Sequence, residues 1–312
     1  MSGVGPPAFL PPVEFVRSPE ALQRAWPEEE ARAYTRWLAT NHYENFHVVS
    51  FLLPKRLHQD FYNVYVYCRW SDDLADEIGD TAESLRLLAW WRTELDEMYA
   101  GRTRHPVFAA LALTVARHGI PRDPFADLLD AFVQDQTVTR YRNWEELFGY
   151  CRNSANPVGR LVLYLCGYRD VERQRLSDAT CTALQLANFW QDVTVDLLKD
   201  RVYIPLEIMA RHGYTAEELF ARKFTPAFAA VMREIVEKAR GLFLEGLPLS
   251  GMVDRRLAID LDLFSRGGMR VLRKIEQQGY DVLAARPKVS KVERVGLLLG
   301  SVARVAFSPR AA

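Results

Sequence analysis

The sequence is poor in cysteine and has no surplus of either charge. Four cysteines, Cys68, Cys151, Cys166 and Cys181, occur in 312 residues and none forms a CxxC pair. A disulfide scaffold and a cysteine-based zinc site are therefore not indicated, and reduced thiols in a cytoplasmic protein are expected. Forty basic residues meet 40 acidic ones, so the basic excess of a general nucleic-acid binder is missing. With 49% hydrophobic residues the chain is not a disordered polyelectrolyte. Its longest uncharged run, residues 179–191, is shorter than the roughly 20 residues a membrane-spanning helix needs. No Walker loop, GxSxG elbow or HExxH pair is present, and Gly3-Val-Gly5 lies in a proline-rich start rather than after a strand. Glu44 and His47 form a single ExxH with no second copy, half of what a helical di-iron site requires.

Strand signals are nearly missing too, and what remains is the punctuation of helices. Ser18-Pro19, Asp123-Pro124 and Thr225-Pro226 read as helix starts, and Asp80 with Glu83, Asn143 with Glu146 and Thr215 with Glu218 read as capping boxes or close relatives. Helices are predicted over residues 28–41, 44–53, 55–78, 81–100, 105–117, 123–138, 143–167, 175–199, 215–222, 226–246, 253–278 and 288–304. Short links, mixed charge and the lack of any Gly/Ser linker point to one all-α domain over residues 19–286. An extended N-terminal arm (residues 1–18) precedes it, and a basic C-terminal helix and tail (residues 287–312) follow.

Two of these helices are apolar enough to demand burial yet are interrupted by carboxylates. In the first, Tyr65, Arg69, Asp72 and Asp76 follow an i, i+4, i+7, i+11 pattern and share one stripe, with Asp73 about a hundred degrees around the helix. In the second, Asn188, Asp192 and Asp196 stack at intervals of four. One such motif alone is compatible with a solvated helix face. Two on greasy helices suggest a shared polar patch withdrawn from the surface. Clustered carboxylates are costly without cations, and Mg²⁺ prefers oxygen ligands while retaining waters and substrate phosphates. Arg69 and Arg201 suit diphosphate oxygens, and Tyr65 and Tyr203 add hydroxyls. A diphosphate trap beside apolar walls implies an isoprenoid diphosphate substrate. Tryptophans such as Trp70, Trp91 and Trp190 are expected to fill the core rather than line the site.

The segments running from Tyr65 to Asp76 and from Asn188 to Pro205 resemble the two aspartate-rich motifs of the squalene/phytoene synthase family, over roughly residues 40–286. The resemblance implies an isoprenoid-synthase-type helical bundle around a central cavity. By the same resemblance Asp72, Asp76, Asn188, Asp192 and Asp196 match Mg²⁺ positions. Tyr65, Arg69, Arg201 and Tyr203 match diphosphate-contacting or catalytic positions, and Gln185 matches a cavity residue.

Three segments depart from the head-to-head condensing members. His42-Tyr-Glu-Asn-Phe46 stands where those have a segment of small hydroxyls and a lysine. Asn156-Pro-Val-Gly-Arg160 replaces their Ala-Gly-Thr-Val-Gly-like bend, and Gly268 lies near the place of a tyrosine. These features, with Gln278-Gly-Tyr-Asp281, resemble the hydroxysqualene synthase branch of bacterial hopanoid pathways. That resemblance implies conversion of presqualene diphosphate to hydroxysqualene without a reductant. Condensation of two prenyl diphosphates to squalene or phytoene is the alternative reaction, and a catalytically silent helical scaffold is an alternative of another class. After Arg286 the chain is basic, with Lys288, Lys291, Arg294, Arg304 and Arg310 against Glu293 alone. Two readings stand for this stretch: an amphipathic helix in peripheral contact with an anionic membrane, or a last helix packed on the bundle.

Overall fold

The computed structural model describes residues 9–41 and 54–307. The expected helix at 44–53, the segment His42–Phe46 and His47 lie outside the described residues. Described residues are all-helical, as expected; the sole β-type pairing among them is an isolated parallel bridge between Arg140 and Val202. They fall into two compact units, divided between Thr137 and Val138.

The first unit contains α1 (Pro12–Val16), α2 (Pro19–Gln23), α3 (Glu28–Asn41), α4 (His58–Asp76), α5 (Thr81–Tyr99), α6 (Pro106–His118) and α7 (Asp123–Gln134). Helix α4 packs against α3, α5, α6 and α7, which places it inside the unit. Its inner face supplies Phe61, Tyr67, Trp70 and Leu74, all buried. Trp70 stacks on Trp91 with ring centres 4.8 Å apart, and His105 meets both rings edge-on. Such pairs contribute about 0.5–1.5 kcal/mol each beyond area burial. A buried polar seam runs alongside. Asn63 donates to the Ala110 carbonyl and to Thr114, while Asp60 accepts from Thr114 and Arg117 and meets His118. The expected extended arm is partly helical instead, because Phe15 on α1 is 1% exposed and packs edge-on against Trp70. Burying that ring outweighs the extended bias of the prolines around it.

The second unit contains α8 (Trp144–Ser154), α9 (Asn156–Leu165), α10 (Val171–Asp196), α11 (Leu206–Arg211), α12 (Ala216–Phe220), α13 (Pro226–Gly246), α14 (Arg255–Gln277) and α15 (Lys291–Phe307). Helix α10 packs on α8, α9, α13 and α14. Small residues set these approaches: a methyl group on Gly246 would meet Thr180 and the Leu176 carbonyl, and one on Gly159 would meet Ser177 and Cys181. The predicted single helix over 143–167 is two, interrupted at Ala155 ahead of Pro157, which lacks the amide that would continue the ladder. Helix α15 packs on α14 and exposes Val292, Val295, Leu299, Val302 and Phe307. No helix among the described residues is long and apolar enough to cross a membrane.

The caps read from sequence hold at Ser18, Asp80, Asn143, Thr215 and Thr225, each of which accepts a backbone N–H of the first turn. Thr215 and Glu218 complete a reciprocal box. Asp123 instead lies within the first turn, after Arg122. None of the four cysteines is in a disulfide.

Candidate active site

In the first unit, α4 presents the Tyr65–Arg69–Asp72–Asp76 stripe where the helix runs out toward solvent. Tyr65 and Arg69 are half-buried and Asp76 is exposed. Arg69 is the centre of the group. Its guanidinium lies 3.5 Å from Asp72 and forms a closer ion pair with Asp73. Asp73, set apart in the sequence reading, is buried at 6% exposure. The signal that would have found it is its i, i+4 spacing from Arg69. Burial pushes the Asp72 carboxyl above its usual range; the Arg69 guanidinium works against that shift, and the charges of Asp76 and Asp73 add to it. Burial likewise raises the Tyr65 phenol. The Arg69 Nε is buried with no hydrogen-bond acceptor among the described residues.

In the second unit, the last turns of α10 carry the other motif. Asn188 is exposed, and Gln185, Asp192 and Asp196 are half-buried. The backbone departs from helical geometry at Asp192 (φ −104°, ψ 15°), in the sparsely populated bridge region where active-site residues recur. Beyond the 3₁₀ turn Leu197–Lys199, Asp200 takes a left-handed conformation (φ 55°). The Arg201 amide then donates to the Asp196 carbonyl at 2.9 Å. Pairing of Val202 with the 139–140 strand-like segment fixes Arg201 and Tyr203 on either side. The Tyr203 ring lies flat on Phe189, with centres 3.6 Å apart. With Val193, Asp196 and Arg201 these two rings line a cavity of about 10 Å³.

Asp196 is pushed up to about 7, first by burial and then by the charge of Asp192. Asp192 itself is held by both arms of Arg286, with Nη2–Oδ2 at 3.1 Å. The sequence reading placed Arg286 only at the head of a basic tail, and a partner 94 residues away leaves no local trace. The expectation that Asp72, Asp76, Asp192 and Asp196 are withdrawn from the surface is corrected: they are half-buried or exposed, and the buried acids are Asp60, Asp73, Asp260 and Asp262. A fully buried carboxylate must be paired or stay neutral, whereas a ligand for an incoming cation has to remain reachable.

The donor set fits the groups expected of it. Asp72 and Asp196, half-buried carboxylates whose acidity is suppressed by burial and by neighbouring acids, gain from a divalent cation, and an orphaned Arg69 Nε gains from an anionic oxygen. Among the described residues no three His, Cys, Asp or Glu side chains are grouped to hold a metal alone. Such sets suit Mg²⁺, which keeps waters and phosphate oxygens in its shell.

The segment Asn156–Arg160 begins α9. Asn156 accepts from Thr182 at 2.8 Å and Arg160 pairs with Asp178 at 2.6 Å. Gly268 is buried on α14, where a side chain would overlap the Phe243 ring. Trp70, Trp91 and Trp190 are fully buried, the core role expected of them.

The squalene/phytoene synthase family model matches residues 39–293. A phytoene synthase from Thermus thermophilus is 32% identical over 95% of this chain and 98% of its own length. A hydroxysqualene synthase from Rhodopseudomonas palustris is 33% identical over 84% of this chain and 89% of its own. The crystal structure of a squalene synthase from Alicyclobacillus acidocaldarius superposes with a TM-score of 0.78 at 43% identity, covering 82% of this chain and 97% of that one. Helical architecture, both aspartate motifs and these matches lead to one assignment: the chain belongs to the squalene/phytoene synthase family.

Proposed function

We propose that the protein converts presqualene diphosphate to hydroxysqualene, with Mg²⁺-assisted release of pyrophosphate. The observation that carries this reading is Gly268, buried beneath Phe243 where the condensing relatives are expected to place a tyrosine. The Asn156–Arg160 segment and the match to a hydroxysqualene synthase support it. In this reading Asp72, Asp76, Asn188, Asp192 and Asp196 hold Mg²⁺. When bound, the ion neutralises charge building on the departing diphosphate. Arg69 and Arg201 bind the diphosphate oxygens, with Gln185 beside them, and Tyr65 and Tyr203 supply hydroxyls near the leaving group. Breaking the C–O bond sends its electron pair out with pyrophosphate and leaves a cyclopropylcarbinyl cation. After rearrangement, water adds to the cation and gives up a proton, so no reductant is consumed.

A second reading, condensation of two prenyl diphosphates, draws on the match to a phytoene synthase over nearly the whole chain. Purified protein with Mg²⁺ and farnesyl, geranylgeranyl or presqualene diphosphate, in the absence of NADPH, separates the two by product mass. An alcohol formed only from presqualene diphosphate is expected. Hydrocarbon or a cyclopropyl diphosphate formed from farnesyl or geranylgeranyl diphosphate rejects the first reading in favour of the second, and no turnover of any of the three favours a silent scaffold.

A further inference from the structure

The second unit has a groove of about 560 Å³ between α13, α14 and α15, lined by no residue of either aspartate motif and within the size range of small-ligand sites. Its walls carry Arg240 from α13, Arg266, Arg270 and Arg273 from α14, and Arg304 from α15. On α14 the three arginines follow an i, i+4, i+7 stripe, so like charges are stacked on one helix face. That arrangement destabilises a bare helix.

The carboxylates around the groove are too few to neutralise it. Asp262 is shared by Arg266 and Arg304, each at 2.8 Å. Glu293 takes Lys274 at 2.8 Å and leaves Arg270 at 3.7 Å. Arg240 pairs with Glu237 and Glu276. Arg273 is exposed and has no ionic partner among the described residues. Five arginines and Lys274 thus face four carboxylates, and the surplus sits on Arg270 and Arg273, one helical turn apart. Guanidinium forks spaced in this way match the oxygens of a phosphate group.

We infer that this groove is a second anion site, separate from the proposed diphosphate site, and that it takes a phosphate-bearing group through Arg270 and Arg273. Two sources carry such a group, a free phosphate or diphosphate in solution and a lipid head, and the two are separable by experiment.

Two probes are used on the full chain without divalent metal: inorganic pyrophosphate in a calorimetric titration, and sedimentation with phosphatidylcholine vesicles with and without phosphatidic acid. Wild type is compared with Arg270→Gln/Arg273→Gln and with Arg255→Gln/Arg256→Gln, a pair exposed at the start of α14 that removes equal charge outside the groove. The groove variant should lose about tenfold in affinity, the size expected of charge-assisted hydrogen bonds, while the control pair should not. Loss with pyrophosphate identifies a free ligand, and loss only with phosphatidic acid vesicles identifies a lipid head. Arg273→Gln alone, at an exposed and unpaired position, replaces the double variant if that fails to fold. Failure of wild type to bind either probe overturns the site, as do equal binding by wild type and groove variant or equal loss in the control. Turnover should be unchanged in the groove variant, so the result stands apart from the reaction proposed above.

Discussion

Asp260 and Asp262 stand two residues apart on α14, both buried, and titrate in opposite directions. Burial opposes ionisation of each. At Asp262, hydrogen bonds from Arg304, Ser301 and Arg266 outweigh it and hold the carboxyl below its usual range. At Asp260 both oxygens lack hydrogen-bond partners among the described residues, and burial followed by the charge of Asp254 pushes it up to about 8. The folded chain therefore keeps a proton on Asp260 where the unfolded chain has lost it, and this residue's contribution to stability falls as pH rises from about 4 to 8. Chemical denaturation of Asp260→Asn beside wild type should show the variant gaining by up to about 1.4 kcal/mol per pH unit across that window; a constant difference would reject a neutral Asp260. The reachable carboxylates should respond through catalysis instead. Asp72→Asn or Asp192→Asn, each nearly isosteric, should lower turnover by about two orders of magnitude or more while leaving thermal stability close to wild type. Undiminished turnover in both would remove them from the metal set. At this scale the motif residues were legible because helical spacing fixes neighbours three and four apart. Asp73 was legible in principle by that rule, whereas Arg286 was not, since its partner is fixed by tertiary folding.

Helices were legible wherever a side-chain cap and an apolar period coincide. Residues 28–41 and 226–246 have the predicted limits, and both carboxylate-bearing helices are interior elements of their units, as their flanking apolar residues demanded. The misplaced boundaries have local causes. Ala155 ends a helix ahead of a proline that a continuous apolar pattern concealed. Helix α11 lacks a side-chain cap and starts behind Pro205, so nothing in its pattern announced it. Contacts between helices were not legible, because a glycine within a helix signals weakness locally and its use appears only against a neighbour. Gly246 on α13 meets the Leu176 carbonyl at 3.0 Å if given a methyl group, and meets Thr180 closer still. Gly246→Ala should therefore destabilise the chain by about 1–3 kcal/mol despite the better helix propensity of alanine. A rise in melting temperature would show that α10 and α13 can separate at no cost.

Across the whole molecule, the equal count of acids and bases conceals unequal placement. Among the described residues four aspartates are buried and no lysine or arginine is. Asp260 keeps its proton at neutral pH, and Asp196 is pushed up to about 7. The folded chain should then be more basic than its composition. Native isoelectric focusing should place it above the sequence value near 7.0, and focusing in urea should return it there; coincident bands would mean that these carboxylates ionise normally. Composition could exclude partners but could not reveal this imbalance, because burial is decided by contacts distant in sequence. The close fit of Phe243 over Gly268 also constrains the history of the chain. A lineage exchanging this glycine for a bulkier residue must first give up the phenyl ring, and one making the reverse exchange leaves a hole until the ring arrives. The two positions are thus sterically coupled, and grafting a side chain from a condensing relative onto position 268 alone tests packing before it tests chemistry.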